Sequence, residues 1–322
     1  MSTHRFRWSL WLALLNCLSS TASAQKLSPF QPPQRPLGLP LMGKTYLAGS
    51  DGRSQHFDAS KQSFLSIITS HLPEHVAYTG AGLNKLDPTR LYFTSAYAPR
   101  VYYIYAGTCY DNALGVTIAT ASEPTAKPVT GDSYTVFPFC HSSIGPFCCS
   151  GAGKRSASEP LLAGDFVELP TIKAGQQLAF FLMADMDRNA NPADVYYNGK
   201  ANNVDGYQHL VAFFPDDSQY LIIGFEDMYD CGGDGRERDG RERDDRERDG
   251  RDHKRERDER GRNERERDDR ERRDRERKGL ERDDREGGDR GCGDRDCNDL
   301  MFVIDIGPKN AAALRVPNNM VR

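Results

Sequence analysis

Nine short segments dominate the chain beyond residue 90: Leu91–Tyr97, Val101–Tyr105, Leu114–Thr120, Tyr134–Phe139, Asp165–Leu169, Gln177–Met183, Gln208–Phe214, Tyr220–Phe225 and Leu300–Ile306. Each is rich in Val, Ile, Thr, Tyr or Phe, the side chains that suit a pleated, half-buried surface. Gly, Pro, Asn and Asp separate them, and almost no helical periodicity falls between them. Strands that follow one another without crossover helices pair antiparallel. The pattern therefore predicts an all-β, jelly-roll-like antiparallel β-sandwich. One short N-terminal helix is expected over Asp58–Leu72, where Phe64, Leu65, Ile68 and Leu72 recur at helical spacing before Pro73.

A second feature interrupts this pattern. Residues 236–286 form a low-complexity tract that begins as a five-residue repeat (Arg236-Glu-Arg-Asp-Gly, Arg241-Glu-Arg-Asp-Asp) and holds 22 basic and 22 acidic residues. It has almost no apolar side chain, so it cannot bury a core and is expected to be a disordered insertion. Closure entropy grows slowly with loop length, so the fold tolerates such an expansion. Its net charge is zero, and the whole formal charge of −4 lies in the rest of the chain. That distribution, with no aromatics interleaved among the arginines, argues against nucleic-acid binding. Polyelectrolyte or RNA binding through the tract is kept as an alternative.

The chain opens with Arg5 and Arg7, an apolar run over Trp8–Leu18 and Ala22-Ser23-Ala24, the order of a secretory signal. The expected organisation is a signal peptide over 1–24, a Pro-rich linker over 25–44, a sandwich domain over 45–308 and a tail over 309–322. No apolar run is long enough for a membrane span. The product is expected to be extracellular or periplasmic, where disulfides are the default. Cys109, Cys140, Cys231, Cys292 and Cys297 are the candidates for them. A bridge from Cys231 to Cys292 or Cys297 would clamp the base of the tract.

Chemistry gathers beside the tract. Strand Tyr220–Phe225 runs into Glu226-Asp227, and Asp294-Arg-Asp296-Cys-Asn298-Asp299 runs into strand Leu300–Ile306. Antiparallel pairing of these strands places both acidic clusters at one end of the sheet. Glu226, Asp227, Asp294, Asp296, Asn298 and Asp299 then converge, and their mutual repulsion calls for a hard cation such as Ca²⁺. An EF-hand is excluded, because Asp299 stands where its sharp turn needs Gly. The competing reading is that these groups cap turns. Asp185-Met-Asp187-Arg-Asn189-Ala-Asn191 has similar alternation but no second cluster, and reads as a polar turn. His209 and His141 have no nucleophile grouped with them in the sequence and read as structural.

The Gly224-Phe-Glu-Asp227 and Gly293-Asp-Arg-Asp-x-Asn-Asp299 pair resembles the closing signature of the domain-of-unknown-function 4114 family of secreted and surface bacterial proteins. Asn112-Ala-Leu-Gly-Val116, Leu161–Asp165 and Asn203–Phe214, with Asp205-Gly206 and His209, are similar to earlier family segments. The resemblance spans residues 70–308. It implies an extracellular β-rich domain without assigned catalytic activity, whose acidic signature is read as a calcium site. Two departures stand out: Cys297 replaces an aromatic, and the tract splits a normally short loop. The expectation is a non-catalytic, calcium-binding surface or matrix protein, adhering to an extracellular polymer, glycan or cell-surface component. The alternative is a secreted glycoside hydrolase that uses two of the carboxylates.

Overall fold

The computed structural model describes residues 25–73, 76–78, 84–108, 110–120, 133–141, 154–187, 189–215, 217–228 and 296–316. The chain is an all-β sandwich of two antiparallel sheets. Its strands are β1 (Thr45–Tyr46), β2 (Asn84–Leu86), β3 (Arg100–Ala106), β4 (Ala113–Thr120), β5 (Ser133–Phe137), β6 (Phe166–Glu168), β7 (Gln176–Met186), β8 (Pro192–Tyr197), β9 (Leu210–Phe214), β10 (Tyr220–Phe225) and β11 (Leu300–Asp305). Seven of them form one sheet in the order β1-β6-β3-β11-β10-β9-β2, and four form the other in the order β5-β4-β7-β8. The chain changes sheet between β3 and β4, β5 and β6, β6 and β7, and β8 and β9.

Strand alternation decides what each sheet face touches. Leu300, Phe302 and Ile304 of β11 point into the space between the sheets, with Tyr103, Leu221 and Phe225 beside them and Leu114, Phe180 and Leu182 facing them. Met301 and Val303 point the other way, onto α1 (Gly52–His71). α1 lays Phe57, Phe64 and Ile68 on this outer face, and Phe57 stacks on Tyr102 with ring centroids 3.8 Å apart. The outer face of the smaller sheet is covered in part by the N-terminal segment, whose Leu39 packs with Phe181, Met183 and Met186. The Pro-rich stretch is extended, but it is docked: Leu27 bridges to Tyr46 and Leu41 to Thr135.

Several local expectations need correction. α1 is not short: it begins at Gly52 and spans 20 residues. Asp51 caps it, accepting from the Ser54 amide at 2.8 Å while Ser54 Oγ accepts from the Asp51 amide at 2.9 Å. Ser at this position is a weaker sequence signal than Glu or Gln, which hides the helix start. Leu91–Tyr97 is not a continuous strand. Only Tyr92 and Tyr97 form bridges, because the amides of Thr94 and Ser95 donate to the Asn310 side chain at 2.9 and 3.0 Å. Asn310 sits on α2 (Pro308–Leu314), so the segment read as a tail starts with a helix packed on the body.

Charged side chains fasten α1 to the sheet. Arg100 reaches both oxygens of Asp51, at 2.8 and 2.7 Å, and also Glu168 at 2.7 Å. Arg53 donates to the buried Asp305 at 2.6 Å, and Asp305 also accepts from the Tyr97 hydroxyl and the Gly307 amide. Burial alone would raise the Asp51 carboxyl, but Arg100, the Ser54 amide and Gln25 outweigh it and hold it well below the carboxylate range. A depressed folded-state value stabilises the fold above the unfolded value of about 4 and is lost as pH falls towards the folded one. Asp51→Asn is therefore expected to flatten the decline in stability below about pH 4, read from urea melts across the acid range. An unchanged slope would show that Asp51 is not a source of acid sensitivity.

Candidate metal centre

β10 and β11 pair antiparallel from Tyr220–Asp305 to Phe225–Leu300, as the alternation predicts. The residue after β10 and those before β11 therefore meet at one end of the larger sheet. Gly224 makes the close approach feasible. A Cβ there would overlap the Cys297 carbonyl oxygen and lie 2.7 Å from Met301 Sδ. Cys297 itself has φ 58°, so the chain turns sharply between Asp296 and Asn298.

Three carboxylates share a point. One oxygen each from Glu226, Asp296 and Asp299 lies within 4.8 Å of the other two. Glu226 and Asp296 are each only 1 % exposed. A cation holding oxygens at about 2.3–2.6 Å allows two of its ligands to stand up to about 5 Å apart, so the spacing suits one shared ion. Asp227 stands beside the point. Its amide donates to Asp299 Oδ2 at 2.9 Å, and its own Oδ2 accepts from the Asn112 side chain at 2.7 Å. Its Oδ1 is buried without a hydrogen-bond partner among the described residues. Asn298 donates from its side-chain nitrogen to the Leu72 carbonyl at 2.9 Å, fastening the loop to the end of α1, while its Oδ1 is buried without a hydrogen-bond partner among the described residues. Its main-chain N–H donates to Asp296 Oδ1 at 3.1 Å. Asp294 lies outside the described residues.

The electrostatics follow from this crowding. Burial, then the charges of Asp227, Glu226 and Asp296, push the Asp299 carboxyl well above the carboxylate range. Burial also raises Asp227, against the hydrogen bonds from Asn112 and Thr108. A bound divalent cation would offset the carboxylate repulsion that adds to burial in raising Asp299.

Sequence reasoning did not connect three residues, Asn112, Asp185 and His209, with the site that they surround. Asn112 reaches Asp227 from the smaller sheet, and Asp185 donates its amide to Asn112 Oδ1 at 3.1 Å. His209, fully buried, stacks on Tyr196 with centroids 3.8 Å apart. Its Nδ1 faces the Glu226 carbonyl oxygen at 3.1 Å and its Nε2 faces Asp205 Oδ2 at 2.8 Å. Both nitrogens are thus engaged, and neither faces a nucleophile. His209 reads as a structural residue on the strand segment Gln208–Phe214, and the structure gives it that place; Asn112 is marked only by the family resemblance.

The remaining candidates resolve differently. Asp187 Oδ1 accepts from the amides of Asn189 and Asn191 at 2.8 and 2.9 Å, the expected polar turn. Among the described residues Cys140 and Cys297 are both buried and are not at disulfide distance from each other. Cys297 packs as a small apolar side chain in the layer between α1 and the sheet. Burial pushes the Cys140 thiol up, and its Sγ donates to the Phe137 carbonyl. Cys109, Cys231, Cys292 and the charged tract lie outside the described residues.

Among the described residues no helix is long and apolar enough to cross a membrane. No family model, curated protein or solved structure matches the chain.

Proposed function

We propose that the protein is an exported, non-catalytic β-sandwich that binds Ca²⁺ through Glu226, Asp296 and Asp299, and that it serves a structural or adhesive role at a surface or in a matrix. The observation that carries the cation reading is the meeting of three carboxylate oxygens, from two distant chain segments, within 4.8 Å in a largely buried setting. Like charges gathered this closely disfavour the ionised cluster, and an oxygen-seeking divalent ion offsets that cost. The opening signal pattern and the family resemblance support an extracellular setting and an extracellular polymer or cell-surface component as partner. The hydrolase alternative is disfavoured by the same geometry. A glycosidic pair needs carboxyl groups about 5–9.5 Å apart across an open cleft, whereas these turn onto one point and are buried.

Calorimetric titration of the chain with calcium chloride tests the reading. One binding event is expected, weakened at least tenfold in Asp296→Asn, which keeps the shape of the side chain and removes its charge. Absence of binding by the unsubstituted chain, or equal binding by the variant, would overturn it.

A further inference from the structure

We propose that Asn112 is a positioning residue for the cation site, and that it makes the site a joint between the two sheets. This rests on the calcium reading above and adds to it a route by which occupancy reaches the smaller sheet. Three hydrogen bonds run in series. Asp299, one of the three converging carboxylates, accepts at Oδ2 from the Asp227 amide at 2.9 Å. Asp227 accepts at its own Oδ2 from the Asn112 side-chain amide at 2.7 Å. Asn112 then accepts at Oδ1 from the Asp185 amide at 3.1 Å, at the end of β7. Asn112 immediately precedes β4, so its side-chain amide holds β7 of the same sheet at one end and reaches Asp227, beside the larger sheet, at the other.

A side chain that only filled space would not need this chemistry. Asn112 is fully buried, where a polar group left without partners costs about 1–3 kcal/mol. Its amide is also specific in direction. By donating to Asp227 Oδ2 it fixes the residue whose amide holds Asp299, and the other oxygen, Oδ1, is buried with no hydrogen-bond partner among the described residues. A buried carboxylate oxygen without a donor is costly in isolation and is relieved by a cation. Asp185 adopts φ 51°, a left-handed conformation unusual for a non-glycine residue, at the place where its amide turns to Asn112. The backbone of the smaller sheet thus bends to meet the relay.

The test needs no variant in its first arm. Hydrogen exchange on the unsubstituted chain, in calcium and in chelator, is expected to show at least tenfold slower exchange of the Asp185 amide when calcium is present. Slowing confined to residues 226–228 and 296–300, with none at Asp185, would overturn the joint. The second arm compares Asn112→Ala with the parent in thermal melts. A residue of purely structural importance lowers the melting temperature equally in calcium and in chelator. A positioning residue also shrinks the shift that calcium produces, with calcium affinity falling about tenfold. An unchanged calcium-induced shift in Asn112→Ala would overturn the assignment. If the parent binds no calcium at all, it is the underlying calcium reading that fails.

Discussion

A chain ended after residue 228 is expected not to fold, whereas a chain from which residues 236–286 have been excised is expected to fold normally. The contrast follows from where β11 sits. Although last in the chain, it is the central strand of the larger sheet, paired with β3 on one side and β10 on the other. Leu300, Met301, Phe302, Val303 and Ile304 are all fully buried, on both faces. Each contributes about 1.5–3 kcal/mol of burial, on the order of 10 kcal/mol together. That is comparable with the whole stability of an ordinary domain, about 5–15 kcal/mol. Excision, by contrast, only shortens the connection between two strands that already lie side by side, and changes its closure entropy by about 1 kcal/mol. Circular dichroism melts of the two truncated chains check this. A cooperative transition in the chain ended at 228, or none in the excised chain, would contradict it.

Gly224→Ala is expected to cost about 3 kcal/mol, at the upper end for one methyl forced into packed surroundings. The obstacle is mainly backbone: the added Cβ would overlap the Cys297 carbonyl oxygen. A flexible side chain such as Met301 can give way, but the Cys297 carbonyl is fixed between the Asp296 turn and the start of β11. The loop itself must therefore shift, and with it the carboxylates of Asp296 and Asp299. Loss of calcium affinity is expected alongside loss of stability. Urea melts and calcium titration of the variant read the two effects. A variant that lost less than about 1 kcal/mol and bound calcium normally would show that the loop is not held by this contact.

The parts of the fold that sequence made legible are those written by local alternation. β11 assigns Leu300, Phe302 and Ile304 to one face and Met301 and Val303 to the other, and the structure places them so. Antiparallel pairing with β10 then carries the acidic clusters together. Elements held by contacts far apart in the chain were hidden. β2 is three residues long and is held in place by pairing with β9, far along the chain. The interruption at Thr94-Ser95 depends on Asn310, more than 200 residues away. The site divides in the same way. Glu226, Asp296 and Asp299 are legible because they flank a hairpin. The roles of Asn112 and Asp185 depend on the approach of a second sheet, which no local pattern records.

Thermal melting of the chain in millimolar calcium and in chelator tests the central claim most directly. A ligand at about tenfold above its dissociation constant adds about 1.4 kcal/mol, enough to move a melting transition measurably. The account predicts a higher melting temperature in calcium than in chelator for the parent, and no calcium-dependent rise in Asp296→Ala. Identical melts in calcium and chelator for the parent, or the same rise in Asp296→Ala, would contradict it and leave the three carboxylates as turn-forming groups.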